Sequence, residues 1–267
     1  MPHAHCRTRL HRCTAGKALS ALVLALAAGA CSTSANLAGP PSDAAQDLRT
    51  RYAAFAQAGG AAYQIDPASS SVRIFVFRGG RAPRLGHNHV LAAPKFQGMV
   101  FLPAAATSSS DVSAPSWDMR ARGARFDLEF RLDELTVDDP AIRSGLGPAF
   151  ASMLSPEDLQ SLREHMLGPD NLQAAQYPFF RVRALELAGE SPHFAAKVDL
   201  QLHGQDRETW IPLQVEGLPD RISVRGSFVL AQSEFGVQPY SVLGGFIAVD
   251  DRIIVEFQLE GKPLAKH

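Results

Sequence analysis

The chain has 267 residues, carries 26 Lys and Arg against 27 Asp and Glu, and is 46% hydrophobic. This hydrophobic content is typical of a folded protein and too high for a disordered one. The balanced charge argues against a nucleic-acid partner, because binding to phosphates requires a basic face. Charged residues recur throughout residues 126–267, so no segment there is apolar enough to span a bilayer.

The first 30 residues have the layout of a signal peptide. Three arginines and a lysine within residues 7–17 precede an apolar run at 18–28, and small residues at 28–30 lead directly to Cys31. A run of small residues that ends in Cys resembles a bacterial lipoprotein signal, in which the thiol is lipidated and becomes the first residue of the mature chain. Ordinary cleavage before Cys31 is the alternative.

The cysteine positions favour lipidation. Cleavage would remove Cys6 and Cys13 and leave Cys31 alone at the mature N-terminus, so that no internal disulfide could form. A lone exposed thiol is a liability in an oxidising compartment, whereas acyl chains on it would anchor the protein to a membrane. Ser32 resembles the residue that directs such proteins to the outer membrane. We therefore expect an exported, periplasmic protein that is anchored to the outer membrane as a lipoprotein.

Residues 31–61 are predicted to form a tether. Residues 32–42 are small and polar and bury too little apolar surface to fold. Apolar side chains recur at helical spacing within residues 43–58, which allows a short helix before Gly59 and Gly60. Between these two interpretations we favour a partly ordered stalk.

From Tyr63 onward, apolar residues alternate with polar ones, which predicts strands with one face on an apolar interior. The regular strands are predicted at 126–132, 194–202, 209–215, 222–230 and 253–259, and less regular ones at 71–77, 85–92, 95–102 and 179–187. Short, turn-rich links between them indicate antiparallel hairpins. Eight or nine such strands can form a sandwich or a closed barrel.

Residues 139–175 interrupt the β pattern and are long for a loop in a compact domain. Residues 155–158 (SPED) are typical of a helix start, with a Ser cap and Pro at the first helical position. An apolar stripe follows, and Gly168 can end the helix. The sequence therefore predicts a helical insertion, which would either plug the barrel or form a lid over a cavity.

Four blocks of sequence follow one another in a recognisable order: residues 63–72 (YQIDPASSSV), residues 162–180, residues 200–213, and residues 233–237 (SEFGV) with the last strand. Together they resemble the YceI-like family of polyisoprenoid-binding, lipocalin-like proteins. The resemblance implies that residues 62–262 form an all-β domain, an extended antiparallel eight-stranded lipocalin-like barrel. It also implies a lipid-binding function, in which one long-chain amphiphile (isoprenoid or fatty-acid-like) is held in the barrel without catalysis and without a cofactor.

The barrel interior is the predicted ligand site. A barrel of about eight strands has room for one small ligand, and each buried methylene contributes about 0.8 kcal/mol. The candidate lining residues are the inward-facing apolar residues of the regular strands: Phe126, Phe130, Val198, Leu200, Ile211, Leu213, Phe228, Val255 and Phe257. Most residues of this kind are ordinary core, and periodicity cannot distinguish those that contact a ligand.

Two closely spaced histidines are the most distinctive polar feature of the sequence. His87 and His89 would share one face of a strand, and the matching positions of Leu85 and Leu91 would turn both inward. His165 on the insertion helix would join them if that helix covers the end of the barrel. The three are candidates for contacting a lipid head group or for binding a metal. The alternative function is accordingly a His-based metal-binding or redox-accessory module.

The other polar features indicate neither catalysis nor further sites. His203 and the acidic pairs 138–139 and 250–251 are predicted to be exposed to solvent. No G-x-S-x-G motif is present, and residues 32–267 contain no Cys nucleophile. A loop at 233–245 is expected to lie at the barrel mouth. We expect a long-chain lipid and, through the anchor, a membrane as partners, and no nucleic acid.

Overall fold

The computed structural model describes residues 41–104 and 123–265. The predicted signal peptide and Cys31 lie outside these ranges. Within them the chain forms three helices: α1 (Pro41–Gly59), α2 (Pro140–Arg143) and α3 (Pro156–Leu167). The strands are β1 (Gly60–Ile65), β2 (Ser71–Val76), β3 (Arg78–Gly79), β4 (His89–Ala92), β5 (Gln97–Pro103), β6 (Arg125–Arg131), β7 (Thr136–Val137), β8 (Phe179–Glu190), β9 (His193–Leu202), β10 (Gln205–Glu216), β11 (Ile222–Ala231), β12 (Ser241–Val242), β13 (Ile247–Val249) and β14 (Arg252–Pro263).

Eight strands form a closed antiparallel ring in the order β1-β5-β6-β8-β9-β10-β11-β14. Pairing of β1 with β14 closes the ring, with Tyr63 opposite Pro263 and Ile65 opposite Gly261. The eight ring strands follow one another around the barrel in chain order, so the topology is that of an up-and-down barrel. The predicted all-β, eight-stranded barrel is confirmed, and the sandwich is excluded.

The barrel is long because three strands extend it in one direction. β2 continues along β14 after a break at residues 66–70, and β4 and β7 pair in turn beyond β2. We call the end of the barrel formed by β2, β4 and β7 the lower end, and the opposite end the upper end. A small sheet of β12, β13 and β3 lies next to the lower end.

Alternation of side chains builds the interior, as the sequence pattern predicts. Along β9, the side chains of Phe194, Ala196, Val198, Leu200 and Leu202 are buried, while the residues between them are partly exposed. Successive side chains of a strand point to opposite faces, so one set of β9 side chains faces the barrel axis. The same alternation in the neighbouring strands surrounds that axis with apolar groups.

Helix α1 replaces most of the predicted tether. The ring of Tyr52 is fully buried, together with Met99 and Phe101 on the outer face of β5. The Tyr52 hydroxyl donates a hydrogen bond to Asp127 Oδ2 at 2.9 Å, and its burial, together with the nearby Asp127 charge, raises the pKa of Tyr52. The favoured stalk interpretation is therefore wrong for α1, because its apolar stripe has a partner surface on the barrel that the sequence could not reveal.

Residues 139–175 contain the predicted helix, α3. Ser155 Oγ accepts a hydrogen bond from the Asp158 N–H at 3.1 Å, and Pro156 occupies the first turn. Arg163 donates hydrogen bonds to the carbonyls of Asp133 and Leu135, which attaches α3 to the connection between β6 and β7. None of the helices in the described ranges is long and apolar enough to cross a membrane.

Removing the Tyr52 side chain tests the packing of α1. We expect Tyr52→Ala to lower the free energy of unfolding by about 3 kcal/mol or more, because a buried aromatic ring is lost. Tyr52→Phe should cost about 1.5–3 kcal/mol, the value of one hydrogen bond to a charged group. Thr50→Ala, exposed on the same helix, is the control. Chemical denaturation measures all three, and equal stability of Tyr52→Ala and Thr50→Ala would contradict the packing.

Candidate functional site

The barrel encloses two cavities along its axis. The cavity nearer the upper end has a volume of about 260 Å³, and the one nearer the lower end has a volume of about 530 Å³. Phe130, Phe180 and Val255 line both, and the rings of Phe130 and Phe180 lie 5.1 Å apart between their centroids. These three side chains therefore mark the boundary between an upper and a lower cavity.

The upper cavity is lined mainly by apolar side chains of the strands that form the ring. Eight of the nine predicted lining residues lie in its wall: Phe126, Phe130, Val198, Ile211, Leu213, Phe228, Val255 and Phe257. Leu200 lines neither cavity and is buried in the core instead. Phe180 and Phe194 also line the upper cavity and were not singled out from the sequence, although their strands were predicted.

The lower cavity has a mixed wall that comes from different parts of the chain. The predicted residues His87, His89 and His165 all line it. Helix α3 contributes Leu162 and Met166 beside His165, so the insertion covers a cavity and does not plug the barrel. Further polar groups complete the wall: Asp158 and Ser161 of the same helix, and Asn171, Gln232 and Tyr240 from other segments. The two cavities thus differ in chemistry.

A hydrogen bond to the buried Asp138 carboxylate holds His89 in place. The His89 ring donates from Nδ1 to Asp138 Oδ2 at 2.7 Å, while Asp138 Oδ1 accepts from the Val90 N–H at 2.9 Å and from Arg143. Burial opposes ionisation of Asp138, but the bonds from His89 and Val90 and the charge of Arg143 outweigh it, so the pKa of this carboxyl lies below its ordinary value. The imidazole is therefore fixed in orientation at the cavity wall.

Asp138 corrects a prediction from the sequence. It was expected to be exposed, yet only 5% of its surface is accessible and Arg143 is as deeply buried. Arg143 comes from α2 and also donates to the carbonyls of Asn88 and Ser152, so it joins the insertion to β4. The sequence around the acidic pair at 138–139 does not indicate that Arg143 folds back and pairs with Asp138.

His87 does not share a strand face with His89. The predicted strand at 85–92 is shorter, because β4 begins at His89 and residues 83–85 form a turn of 3-10 helix. His87 Nδ1 lies 3.1 Å from Ser152 Oγ, and the two imidazole centroids are 6.4 Å apart. In residues 41–104 and 123–265, no group of three or more His, Cys, Asp or Glu side chains could hold a metal ion. The metal-site alternative therefore has no geometric support in these ranges.

His203 was also expected to be exposed and is instead half-buried. It occupies the β9–β10 turn, donates from Nδ1 to the Phe235 carbonyl at 3.0 Å, and packs edge-on against Tyr177. Phe235 is buried as well, so the loop at 233–245 partly packs into the core. Tyr240 of the same loop lines the lower cavity and contacts the ring of His165, with centroids 4.6 Å apart.

Residues 63–261 match the YceI-like domain. The chain belongs to the YceI-like family. No curated protein matches it. Among solved structures, BcnA of Burkholderia cenocepacia is 15% identical with a TM-score of 0.50, and the match covers 73% of this chain and 98% of BcnA. At this identity the likeness supports the fold alone.

Two further solved structures are similar to this YceI-like chain. A polyisoprenoid binding domain from Saccharophagus degradans, implicated in plant cell wall breakdown, is 14% identical; the match covers 76% of this chain and 98% of that domain, with a TM-score of 0.47. The YCEI protein of Campylobacter jejuni is 10% identical; the match covers 66% of this chain and 84% of that one, with a TM-score of 0.43.

Replacing Asp138 tests the buried ion pair. We expect Asp138→Asn to lower the free energy of unfolding by about 3 kcal/mol at neutral pH, because Arg143 would be left buried without its counter-ion. Asp139→Asn is the matched control, since Asn caps a helix as well as Asp does. Denaturation curves of both variants measure the difference. Equal stability of the two would contradict the structural role of Asp138.

The acid dependence of stability has a definite sign. The pKa of Asp138 is lower in the folded state than in the unfolded state. Its contribution to the free energy of unfolding is therefore fully present above the unfolded-state pKa of about 3.9, and it is lost as the pH falls through the folded-state pKa. The free energy of unfolding should therefore decline more steeply in acid for the wild type than for Asp138→Asn. A steeper decline in the variant would contradict this.

Proposed function

We propose that this protein binds one long-chain amphiphile, such as an isoprenoid or a fatty-acid-like lipid, inside its barrel. The observation that carries the proposal is the pair of cavities that follow one another along the axis, walled mainly by apolar side chains. The lower cavity, at about 530 Å³, is of the size typical of ligand sites, and the upper cavity adjoins it. Membership of the YceI-like family, to which the sequence resemblance attributes polyisoprenoid binding, supports the same class of ligand.

The chemistry of the two cavities suggests an orientation for the ligand. A hydrocarbon chain fits the upper cavity, where only a few polar side chains, such as Glu186 and Glu216, reach the wall. A polar head group loses free energy on burial unless it finds hydrogen-bond partners. Such partners are concentrated in the lower cavity, at His87, His89 and His165. The chain would then pass the boundary formed by Phe130 and Phe180.

Energetics favour a long chain over a short one. About ten buried methylenes contribute roughly 8 kcal/mol at about 0.8 kcal/mol each. Association itself costs about 4–15 kcal/mol in lost freedom of motion. A short chain would barely offset that cost. A chain long enough to occupy both cavities should therefore bind more tightly than a chain that fills only one. Binding of this kind needs neither a catalytic group nor a cofactor.

A substitution in the cavity wall tests the proposal. Ala196 lines the upper cavity, and Ala195 next to it points away from the axis. Phe in place of Ala196 would fill the space that the chain needs, so we expect Ala196→Phe to lose most of its bound lipid. Ala195→Phe should retain it. Mass spectrometry of organic extracts from the natively purified variants measures the lipid, and thermal melts confirm that both fold.

Two results would contradict the proposal. The first is wild-type protein that carries no stoichiometric long-chain lipid after native purification. The second is equal lipid content in folded Ala196→Phe and Ala195→Phe. A bound transition metal in place of lipid, lost on replacing His87 and His89 by Ala, would favour the metal-binding alternative.

We also propose that the protein is exported and held at the outer membrane of the periplasm by lipid on Cys31. The arrangement of residues 7–31 in the sequence supports this proposal. Labelled palmitate fed to cells should be incorporated into the wild-type protein and not into Cys31→Ser. Cys13→Ser is the matched control and should incorporate label normally. Label that persists in Cys31→Ser would refute the anchor.

A further inference from the structure

Two segments at the lower end pack together and form one surface, which we call the rim: residues 77–86 and 240–249. Strands β3 and β13 pair within it. The N–H groups of Arg81 and Ala82 donate to the carbonyls of Gly245 at 3.0 Å and Phe246 at 2.8 Å. The two segments are therefore held in a fixed relation by backbone hydrogen bonds.

The rim surrounds the opening of the lower cavity. Leu85 and Tyr240 both line this cavity, yet 67% of Leu85 and 40% of Tyr240 are exposed to solvent. A side chain can satisfy both conditions only where the cavity meets the solvent. A ligand that enters or leaves the lower cavity at this place passes the rim.

The rim also exposes apolar side chains beyond the cavity. Leu243 is 75% exposed and Phe246 is 48% exposed. With Leu85 and Tyr240, the rim carries four of the eight large hydrophobic side chains that are exposed in the described ranges. A concentration of this kind marks an interaction site.

The charge of the rim has one sign. Its two segments contain Arg78, Arg81 and Arg84 and no acidic residue. The Arg81 guanidinium lies 4.9 Å from the ring centroid of Phe246, so a cation and an exposed apolar group are adjacent. The nearest acids in sequence, Asp250 and Asp251, accept hydrogen bonds from backbone N–H groups near their own turn. Exposed apolar groups among arginines complement an anionic lipid surface.

We propose that the rim docks on an anionic lipid bilayer, with the side chains of Leu243 and Phe246 in the interface and the arginines against the head groups. This docking surface rests on the proposed function, because docking is useful to the protein only if the barrel binds an amphiphile. Docking would place the opening of the lower cavity against the membrane, so that an amphiphile could leave the bilayer tail first without crossing water.

A fluorescent label tests which surface contacts the membrane. Leu243→Cys is introduced into the full chain carrying Cys6→Ser, Cys13→Ser and Cys31→Ser and is labelled with an environment-sensitive fluorophore. Val229→Cys is the control, because Val229 is 59% exposed on β11, outside the rim. With vesicles of phosphatidylcholine and phosphatidylglycerol, the label at 243 should brighten several-fold more than the label at 229. Both chains share every other segment, so the difference reports the orientation of the barrel.

Charge is tested in the same labelled chain. Arg81→Gln with Arg84→Gln should weaken binding to the anionic vesicles by at least about tenfold. Arg81→Lys with Arg84→Lys keeps the charge and should retain the binding. Vesicles of phosphatidylcholine alone should give a weaker response. Equal brightening at 243 and 229, or equal responses to the two kinds of vesicle, would overturn the docking surface.

The lipid content of the same preparations separates this inference from the proposed function. Retained lipid without contact between rim and vesicle would overturn the docking surface and leave the lipid-binding function standing. Contact between rim and vesicle in a protein that carries no lipid would support docking and refute the lipid-binding function.

Discussion

Closure of the barrel through β1 and β14 is the constraint on which the rest of this structure depends. It pairs the backbone groups of two strands that would otherwise be open edges, and it turns one face of every strand toward a common axis. Side chains of the neighbouring strands β11 and β1 lie close to Gly261 of β14. An added Cβ there would lie 2.8 Å from Ile222 Cγ2 and 3.0 Å from Ile65 Cδ1. A larger residue there would force these side chains to shift.

The insertion gives the lower half of the barrel a wall that strands do not supply. β7 is only two residues long, and α3 supplies Leu162, His165 and Met166 to the wall of the lower cavity. The ion pair of Asp138 and Arg143 connects the insertion to β4. A buried pair of this kind contributes little net stability compared with an apolar contact, because desolvation offsets its attraction. Its effect here is to position His89 and the insertion.

The two ends of the molecule differ in a way that suits an amphiphilic ligand. An apolar cavity lies deep in the upper half, a cavity with histidines and amides lies in the lower half, and arginines with exposed apolar groups surround the opening. Polarity therefore increases from the interior to the rim, in the same sense as along a lipid from its tail to its head.

The sequence by itself determined most of the strands, the cap of α3 and eight residues of the upper-cavity wall, because period-two alternation and helix capping are local and repeat over many residues. Alternation alone also allowed a sandwich, and the choice of a barrel came from the resemblance to the YceI-like family. Only the tertiary structure decided the packing of Tyr52 on the barrel, the burial of Asp138 and His203, and the convergence of His165 with His87 and His89. Each depends on a partner that is distant along the chain, such as Arg143 for Asp138 or Asp127 for Tyr52. No local pattern encodes such a partner, because the contact exists only after the ring has closed.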